Sequence, residues 1–218
     1  MNSKKIAFVS DFDGTISDDD FFSYTTRAYF DENALAPWRE FLTGKKTHFL
    51  ALKEMFAQLH VPTTDLHQLI DSIHVDPDLD KTWRYCHEKG VSLYVCSAGN
   101  DYYIRRLIGD LIKKYDVTLV SNKGEYSAET GLVMTAPDES SPHYDKAVGI
   151  SKLSVIEKLK SEGFFVVFAG DGPPDVEPAE KADVVFAKKF LLNACREKGI
   201  KTEPFSNFGD ILAFFERL

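Results

Sequence analysis

The sequence predicts an α/β fold with a Rossmann-like parallel sheet. Short apolar runs of β-forming residues recur along the 218-residue chain, helix-like segments ended by glycine precede two of them, and three runs stop at turns of small polar residues. Strands that alternate with helices form parallel sheets with right-handed crossovers. The 44% of hydrophobic and 28% of charged residues allow a sizeable core and exclude disordered, collagen-like and coiled-coil chains.

Four short segments have the composition of buried strands. The first ends at Asp-Phe-Asp-Gly, the second at Ser-Ala-Gly and the third at Gly-Asp-Gly. These strand segments are 6–10, 91–96, 164–169 and 184–187. The helix-like segments 81–89 and 152–162 precede the second and third strands, so each pair forms a helix followed by a strand.

The chain between the first two strands is far longer than one crossover helix requires. Apolar residues at three- and four-residue steps predict a helix over 41–59, and 64–73 resembles another. We therefore expect a helical cap over residues 18–79, inserted after the first strand into a core formed by 1–17 and 80–218. Two β-rich pieces around polar turns predict a β-hairpin late in the core, within 117–135.

Charge and cysteine content restrict the partners that we expect. Lys and Arg total 26 against 34 Asp and Glu, a net charge of −8 that repels nucleic-acid backbones. No apolar run approaches the roughly 18 residues of a membrane span. Cys86, Cys96 and Cys195 lie far apart without metal-ligand spacing, which favours reduced thiols and a cytoplasmic location. We expect a monomer or a homodimer.

Polar side chains follow three of the predicted strands. Asp11 and Asp13 follow the first strand, Ser97 the second, and Asp171 and Asp175 the third. The carboxyl ends of parallel strands meet at one edge of a sheet, so these groups converge there. Asp-x-Asp-Gly by itself is usually a turn, but converging carboxylates repel one another unless a cation joins them, and an oxygen-only ligand set suits Mg²⁺.

Together these motifs resemble the haloacid dehalogenase superfamily of phosphohydrolases. The resemblance rests on Asp11-Phe-Asp-Gly-Thr15, the strand ending in Ser97, a lysine before the third strand, and Gly170-Asp-Gly-Pro-Pro-Asp175. It spans nearly the whole chain, and the insertion after the first motif is similar to the cap of the phosphoserine phosphatase-like branch. Within that branch, the chain from Gly99 onward resembles the methylthiopentenyl-phosphate phosphatases of methionine salvage. The segments that carry this are 149–152, 171–175, 186–189 and 191–196.

The resemblance implies catalytic roles for the acidic residues. Asp11 would be the nucleophile that forms an aspartyl-phosphate, and Asp13 would be the general acid and then the base. Mg²⁺ would be held by one oxygen of Asp11, by Asp171 and by the main-chain carbonyl of Asp13. Asp175 would orient the metal's water shell or the motif lysine. Lys152, at a predicted helix start, is favoured for that lysine over Lys146.

The same resemblance implies a phosphate-binding loop. The hydroxyls of Thr15 and Ser97, with main-chain N–H groups near Gly14 and Ala98, would bind the transferring phosphoryl group. Gly99 would let the backbone approach closely.

Substrate recognition is expected from the predicted cap. Asp20 can fill the acidic position of phosphoserine phosphatases, and Phe21 can form an apolar wall. The position of their substrate-binding arginine falls at Met55, with Lys53 nearby, so a bidentate carboxylate clamp is missing. This favours a thioether or another small neutral ester over phosphoserine. None of the six histidines shows metal-ligand spacing, and His48 is the one least easily assigned to the surface.

The sequence thus predicts a Mg²⁺-dependent phosphoric monoester hydrolase that acts on a small phosphate ester, for which methylthiopentenyl phosphate is a candidate. A phosphoserine phosphatase, or a phosphotransferase or phosphomutase on the same fold, remains open. A dehalogenase has no need of Asp13, and a phospho-accepting receiver domain is shorter and lacks the helical insertion. A binding module without activity disagrees with the intact Asp11, Asp13 and Asp171.

Overall fold

The computed structural model describes residues 5–218 and has the predicted α/β architecture. Residues 1–4 of the predicted core lie outside the described residues. The strands are β1 (Ile6–Ser10), β2 (Ser92–Asn100), β3 (Thr118–Ser127), β4 (Gly131–Thr135), β5 (Tyr144–Asp145), β6 (Gly149–Ile150), β7 (Phe165–Gly170), β8 (Val184–Ala187) and β9 (Glu203–Pro204). The helices are α1 (Phe21–Tyr29), α2 (Ala36–Leu42), α3 (His48–Phe56), α4 (Thr63–Asp71), α5 (Leu79–Glu88), α6 (Asp101–Lys114), α7 (Lys152–Ser161), α8 (Val176–Lys181), α9 (Lys189–Lys198) and α10 (Phe208–Phe215).

Seven of the strands form one sheet in the order β4-β3-β2-β1-β7-β8-β9. Its neighbouring strands are parallel except for β3 and β4, which form the antiparallel hairpin expected within 117–135. Strand β1 lies between β2 and β7, with Ser10 opposite Val95 on one side and Ala169 on the other. The carboxyl ends of these three strands therefore lie side by side, where the sequence predicted the polar turns to meet.

Apolar residues cover both faces of the sheet. Alternate residues of a strand point to opposite faces, so Phe8 packs in one cluster, while Ala7 and Val9 pack in the other. The Phe8 ring contacts the rings of Phe208 and Phe215 on α10. The opposite cluster draws on α7, α8 and α9. The three cysteines are buried and free, which agrees with the absence of disulfide spacing.

The segment between β1 and α5 carries four helices, α1 to α4. Its two ends are joined by an antiparallel bridge between Ser17 and Val75, with hydrogen bonds from Asp18 N to His74 O (3.0 Å) and from Asp76 N to Ile16 O (2.9 Å). The chain thus leaves and re-enters the sheet region at one place. The division into a cap and a core domain stays a prediction.

One predicted helix is wrong in its extent. The apolar periodicity of 41–59 indicated a single helix, but α2 ends at Leu42 and α3 begins at His48. Gly44 has a left-handed φ of 73°, and the Thr47 side chain accepts a hydrogen bond from Leu50 N as the N-cap of α3. Residues 43–47 therefore carry the signal that ends α2 and the signal that starts α3, and these signals outweigh the apolar periodicity of 41–59.

No helix within 5–218 has both the length and the apolar character that crossing a bilayer requires.

Candidate active site

The loop after β1 places the first two acidic residues. Asp11 N donates to Ala169 O of β7 at 2.9 Å, and the N–H groups of Thr15, Ile16 and Ser17 all point to the Phe12 carbonyl oxygen at 2.8–3.1 Å. This tight turn needs glycine at position 14, where φ is 73°. A Cβ atom there would lie 2.3 Å from Asp171 Oδ2, so the absence of a side chain lets the β1 and β7 loops meet.

Lys152 forms a buried ion triad with Asp11 and Asp175. Its Nζ lies 2.6 Å from Asp11 Oδ1 and 2.5 Å from Asp175 Oδ1, and the three residues are at most 5% exposed. Ser151 caps α7 by accepting a hydrogen bond from Ser154 N, so Lys152 is the first residue of the helix. The structure brings Lys152 to Asp11, whereas Lys146 is exposed.

Burial disfavours the charged forms of Asp11 and Lys152, and their mutual attraction acts against this effect. Burial raises the pKa of Asp11 well above its usual value, while Lys152 lowers it and the neighbouring carboxylates of Asp175 and Asp171 raise it further. Burial lowers the pKa of Lys152, but its attraction to Asp11 and Asp175 exceeds that effect, and the pKa is raised overall. Lys152 is therefore a permanent cation next to the predicted nucleophile.

Asp175 also organises the turn after β7. Its Oδ2 accepts hydrogen bonds from Asp171 N (3.1 Å) and Gly172 N (3.0 Å). Pro173 and Pro174, which have no N–H groups, lie in a 3₁₀ turn, Pro173–Asp175. The donors that close this loop therefore come from the residues before the prolines, and Asp175 faces Lys152 and the base of the site.

Three carboxylates come close enough to share a cation. One oxygen each from Asp11, Asp171 and Asp175 lies within 4.8 Å of the others. All the available ligand atoms are carboxylate oxygens. Burial, and after it the neighbouring carboxylates, raises the pKa of Asp11, which shows that negative charge accumulates here without enough compensation. A hard divalent cation fits this set. The sequence predicted Asp11, Asp13 and Asp171 as the ligands. The Asp13 carboxyl group turns away from the cluster, and its main-chain carbonyl as a ligand stays a prediction.

Asp13 faces β2 and α6 instead. Its Oδ1 accepts a hydrogen bond from Phe21 N at 3.0 Å, and its Oδ2 accepts from Ser97 Oγ at 3.3 Å and from the Tyr103 hydroxyl. Burial raises the pKa of Asp13 to about 6, although the hydrogen bond from Tyr103 acts to lower it. A carboxyl group with a pKa near 6 can donate or accept a proton near neutral pH.

The end of β2, residues 97–99, lies against Asp13, at the point where the pairing of β2 with β3 shifts register between Ser97 and Asn100. Ser97 Oγ accepts a hydrogen bond from Gly99 N at 3.0 Å, and the Ala98 carbonyl oxygen accepts one from Asn122 Nδ2 at 2.8 Å. A Cβ atom on Gly99 would lie 1.8 Å from the Tyr103 hydroxyl oxygen, so this position has no room for a side chain. Phosphate binding by residues 97–99, with Gly14 and Thr15, stays a prediction.

A pocket of about 570 Å³ opens above these groups. Its floor holds the acidic residues, Lys152 and the end of β2, and its walls are mainly aromatic and apolar. The wall residues are Phe21, Phe22, Trp38, His48, Leu52, Phe56, Tyr103 and Phe190, and Asp19, Asp20 and Ser23 also line the pocket. The arrangement suits an anionic group at the floor and an apolar group at the walls.

The four predicted substrate-binding residues divide into two pairs. Asp20 and Phe21 line the pocket, as expected. Lys53 and Met55 do not: Lys53 is exposed, and Met55 is fully buried on another side of α3. The physical reason is the phase of the helix, because α3 presents residues at steps of four to the pocket, namely His48, Leu52 and Phe56.

Sequence reasoning missed Tyr103 and Lys189. Tyr103 lies in the first turn of α6, six residues after Ser97, so a strand-turn-helix pattern there could have indicated it. Lys189 Nζ lies 3.0 Å from Asp171 Oδ2 and donates to Gly14 O at 3.2 Å. It begins α9 with a φ of 49°. The segment 186–189 carries part of the family resemblance, but that resemblance gave this lysine no role in the site.

Comparison with known proteins gives relatives along the whole chain. No family model matches it. A 2-hydroxy-3-keto-5-methylthiopentenyl-1-phosphate phosphatase of Bacillus cereus (strain B4264) is 29% identical over 209 residues, which cover 93% of this chain and 92% of that protein. A protein with the same name from Geobacillus kaustophilus (strain HTA426) is 28% identical over 225 residues, 99% of this chain and 98% of its own length.

Solved structures share the fold. A substrate-bound phosphoserine phosphatase complex superposes with a TM-score of 0.70 at 20% identity, over 98% of this chain and 99% of that one. A phospho-aspartyl intermediate analogue of phosphoserine phosphatase gives a TM-score of 0.69 at 21% identity, over 97% and 99%. The chain therefore has the fold of these phosphoserine phosphatases and is similar along its whole length to the 2-hydroxy-3-keto-5-methylthiopentenyl-1-phosphate phosphatases, and it brings Asp11, Ser97, Lys152 and Asp171 together at one edge of the sheet.

Proposed function

We propose that this protein hydrolyses a small phosphomonoester through an aspartyl-phosphate on Asp11. The observation that carries the proposal is the pairing of two different carboxyl groups at the pocket floor. Asp11 forms an ion pair with Lys152 at 2.6 Å, which acts against the rise that burial causes in the pKa of Asp11, whereas Asp13 has no lysine partner among the described residues and its pKa is raised to about 6 by burial. Two carboxyl groups in contrasting environments suit a nucleophile and a proton donor.

In the first step the Asp11 carboxylate attacks phosphorus, and the bond from phosphorus to the ester oxygen breaks. Asp13 transfers its proton to the departing alkoxide, so an alcohol leaves and Asp11 carries the phosphoryl group. In the second step the Asp13 carboxylate takes a proton from water as the water oxygen attacks phosphorus, and the bond between phosphorus and the Asp11 oxygen breaks. Inorganic phosphate leaves, and Asp11 and Asp13 return to their starting states.

Several residues hold these groups in position. Lys152 fixes one oxygen of Asp11, while Tyr103, Ser97 and the Phe21 N–H orient Asp13. Bound by Asp11, Asp171 and the Asp13 carbonyl, Mg²⁺ would offset the charge between nucleophile and substrate and polarise the phosphoryl oxygens. The Thr15 and Ser97 hydroxyls would receive the remaining phosphoryl oxygens.

The pocket walls favour an ester with an apolar tail. Besides His48, the pocket walls carry seven aromatic or aliphatic side chains, and no arginine among residues 5–218 lines the pocket. Its two lysines, Lys152 and Lys189, are already paired with aspartates. The carboxylate of phosphoserine would therefore lack a bidentate partner and would face Asp19 and Asp20. A methylthiopentenyl phosphate, the ester that appears in the names of the relatives, would place a thioether tail against these walls.

The test is phosphate release from a panel of esters with Mg²⁺ and with a chelator. The panel contains phosphoserine, phosphocholine, pyridoxal phosphate and the methylthiopentenyl enediol phosphate. We expect chelator-sensitive turnover, fastest for the enediol phosphate. Acid quenching during turnover, followed by mass spectrometry, should find one phosphoryl group on the peptide containing Asp11. Release without any labelled Asp11 would contradict the covalent route, and no release from any ester would contradict hydrolysis.

A further inference from the structure

We propose that His48 determines specificity by forming a neutral hydrogen bond to a carbonyl or enol oxygen of the substrate near its phosphate ester. This inference rests on the proposed phosphatase function and extends it to the part of the substrate that leaves as the alcohol. It assigns a polar role to a residue of the otherwise apolar wall formed by α3.

The His48 ring has a fixed place in the pocket. Residue 48 is the first of α3, whose start is set by the Thr47 cap, and it lies on the same helix face as Leu52 and Phe56. The rings of Trp38 and Phe41 meet it edge-on, at centroid distances of 5.7 Å and 5.4 Å and interplanar angles of 68° and 76°. Packing from two sides restricts the ring, so its nitrogen atoms point in defined directions.

One ring nitrogen of His48 is buried without a hydrogen bond in the described part of the chain. Nδ1 is shielded from solvent and has no hydrogen-bond partner among residues 5–218. Polar atoms buried in proteins are nearly always paired, and an exception within a ligand pocket needs an explanation. A substrate oxygen bound at the imidazole would supply a partner that the protein itself does not provide.

The charge state of His48 narrows the kind of oxygen that it can bind. Burial first, and then repulsion by Lys152, lowers the pKa of His48 to about 4. The imidazole is therefore neutral near pH 7, and it offers one N–H donor and one lone pair without a positive charge. His48 and Lys152 line the same pocket, so the ring lies on the side of α3 that faces the catalytic groups. A neutral ring suits a ketone or enol oxygen better than a carboxylate.

The other polar groups of the outer pocket point to the same substrate class. Asp19 and Asp20 would repel a second anionic group on the ester, while Phe22 and Trp38 would contact an apolar chain. The pocket therefore fits a phosphate ester with one neutral oxygen function close to the phosphate and an apolar tail beyond it. Simple alkyl phosphates lack that oxygen and would leave His48 unpaired.

The experiment uses two esters of equal length, 2-oxopentyl phosphate and pentyl phosphate. Their kcat/KM values are measured with wild type, His48→Phe and His48→Gln, and their Kd values with the same His48 changes in an Asp11→Asn background. We expect His48→Phe to reduce kcat/KM and binding of the oxo ester at least tenfold more than those of the alkyl ester. His48→Gln, which keeps a donor and an acceptor, should recover part of the loss.

The matched control is His87→Phe, because His87 is an exposed histidine on α5 that does not line the pocket. Thermal unfolding checks that each variant is folded, and the Gln variant serves if the Phe variant is not. Equal losses on both esters would show that His48 only fills space, and would overturn the inference. Failure of wild type to release phosphate from any ester would instead overturn the proposed function, while the Kd comparison would still decide the role of His48.

Discussion

Tyr103→Phe isolates one hydroxyl group next to the predicted general acid. Tyr103 is 1% exposed, and its hydroxyl donates to Asp13 Oδ2. Its ring stacks on Phe21 at a centroid distance of 4.3 Å and an interplanar angle of 13°, and it also contacts Phe12. Phenylalanine keeps both ring contacts, so the change removes the hydrogen bond without opening a large cavity.

The expected size of the effect follows from the partners that remain. A hydrogen bond to a charged group contributes about 1.5–3 kcal/mol, which corresponds to a rate factor of roughly 10 to 150. Asp13 would still accept hydrogen bonds from Phe21 N at 3.0 Å and Ser97 Oγ at 3.3 Å. We therefore expect the lower part of this range, a decrease of roughly 10- to 30-fold in kcat.

The assay is steady-state phosphate release from the best ester of the panel, with kcat and KM determined separately. Tyr102→Phe is the matched control, because the Tyr102 hydroxyl bonds to His67 Nε2 at 2.9 Å and the residue does not line the pocket. The control should keep kcat within about twofold of wild type, and thermal unfolding should show both variants folded. A Tyr103→Phe kcat within twofold of wild type would refute the role assigned to this hydroxyl.

Three further changes test the charged floor and the pocket wall. Asp11→Asn should abolish phosphate release while circular dichroism shows an intact fold, and substantial residual release would exclude Asp11 as the nucleophile. Lys152→Met leaves two buried carboxylates without their cation, so the free energy of unfolding should fall by about 3–5 kcal/mol in urea titrations. A second change, Asp11→Asn, should restore part of that loss, and a loss below about 1 kcal/mol would contradict the buried triad. Burial, and then repulsion by Lys152, lowers the pKa of His48 from 6.5 to about 4 on folding. The folded protein therefore gains stability from the neutral ring in full above pH 6.5, and loses it as the pH falls toward 4. The wild type should lose about 2–3 kcal/mol more stability than His48→Gln between pH 7 and pH 4, and parallel urea midpoints for the two proteins would refute this.

The pocket floor could be predicted from sequence because its residues are tied to strand ends. A strand of apolar β-forming residues has one carboxyl end, and in a parallel sheet these ends share an edge. Asp11, Ser97 and Asp171 follow three such strands, and the sheet order places the strands side by side. Predicting that these three side chains lie close together therefore required only the positions of the strands. An error of one residue in a strand boundary would still leave the three side chains at the same edge of the sheet.

The pocket wall could not be predicted in the same way. The face that a helix presents turns by about 100° per residue, so an error of one position moves a side chain out of the pocket. A single helix over 41–59 implied one continuous phase, but Gly44 and Thr47 interrupt it and reset the phase at His48. The choice of Lys53 and Met55 came from a family comparison without gaps from Gly44, which carries no information on the phase of α3, and neither residue lines the pocket.

The charge of the pocket floor and the apolar character of its walls bear on whether a cation or the phosphate ester binds first. Four aspartates and two lysines leave the floor with an excess of negative charge even when Asp13 is protonated, and a phosphate dianion brings more. The walls are aromatic and cannot offset that charge, and Lys152 is already shared by two carboxylates. An ester held only by its tail would keep its phosphate away from Asp11, because the repulsion is strongest in a buried site of low dielectric. We therefore expect productive binding to require a divalent cation among the carboxylates, and chelation to weaken the binding of the phosphate ester as well as its turnover.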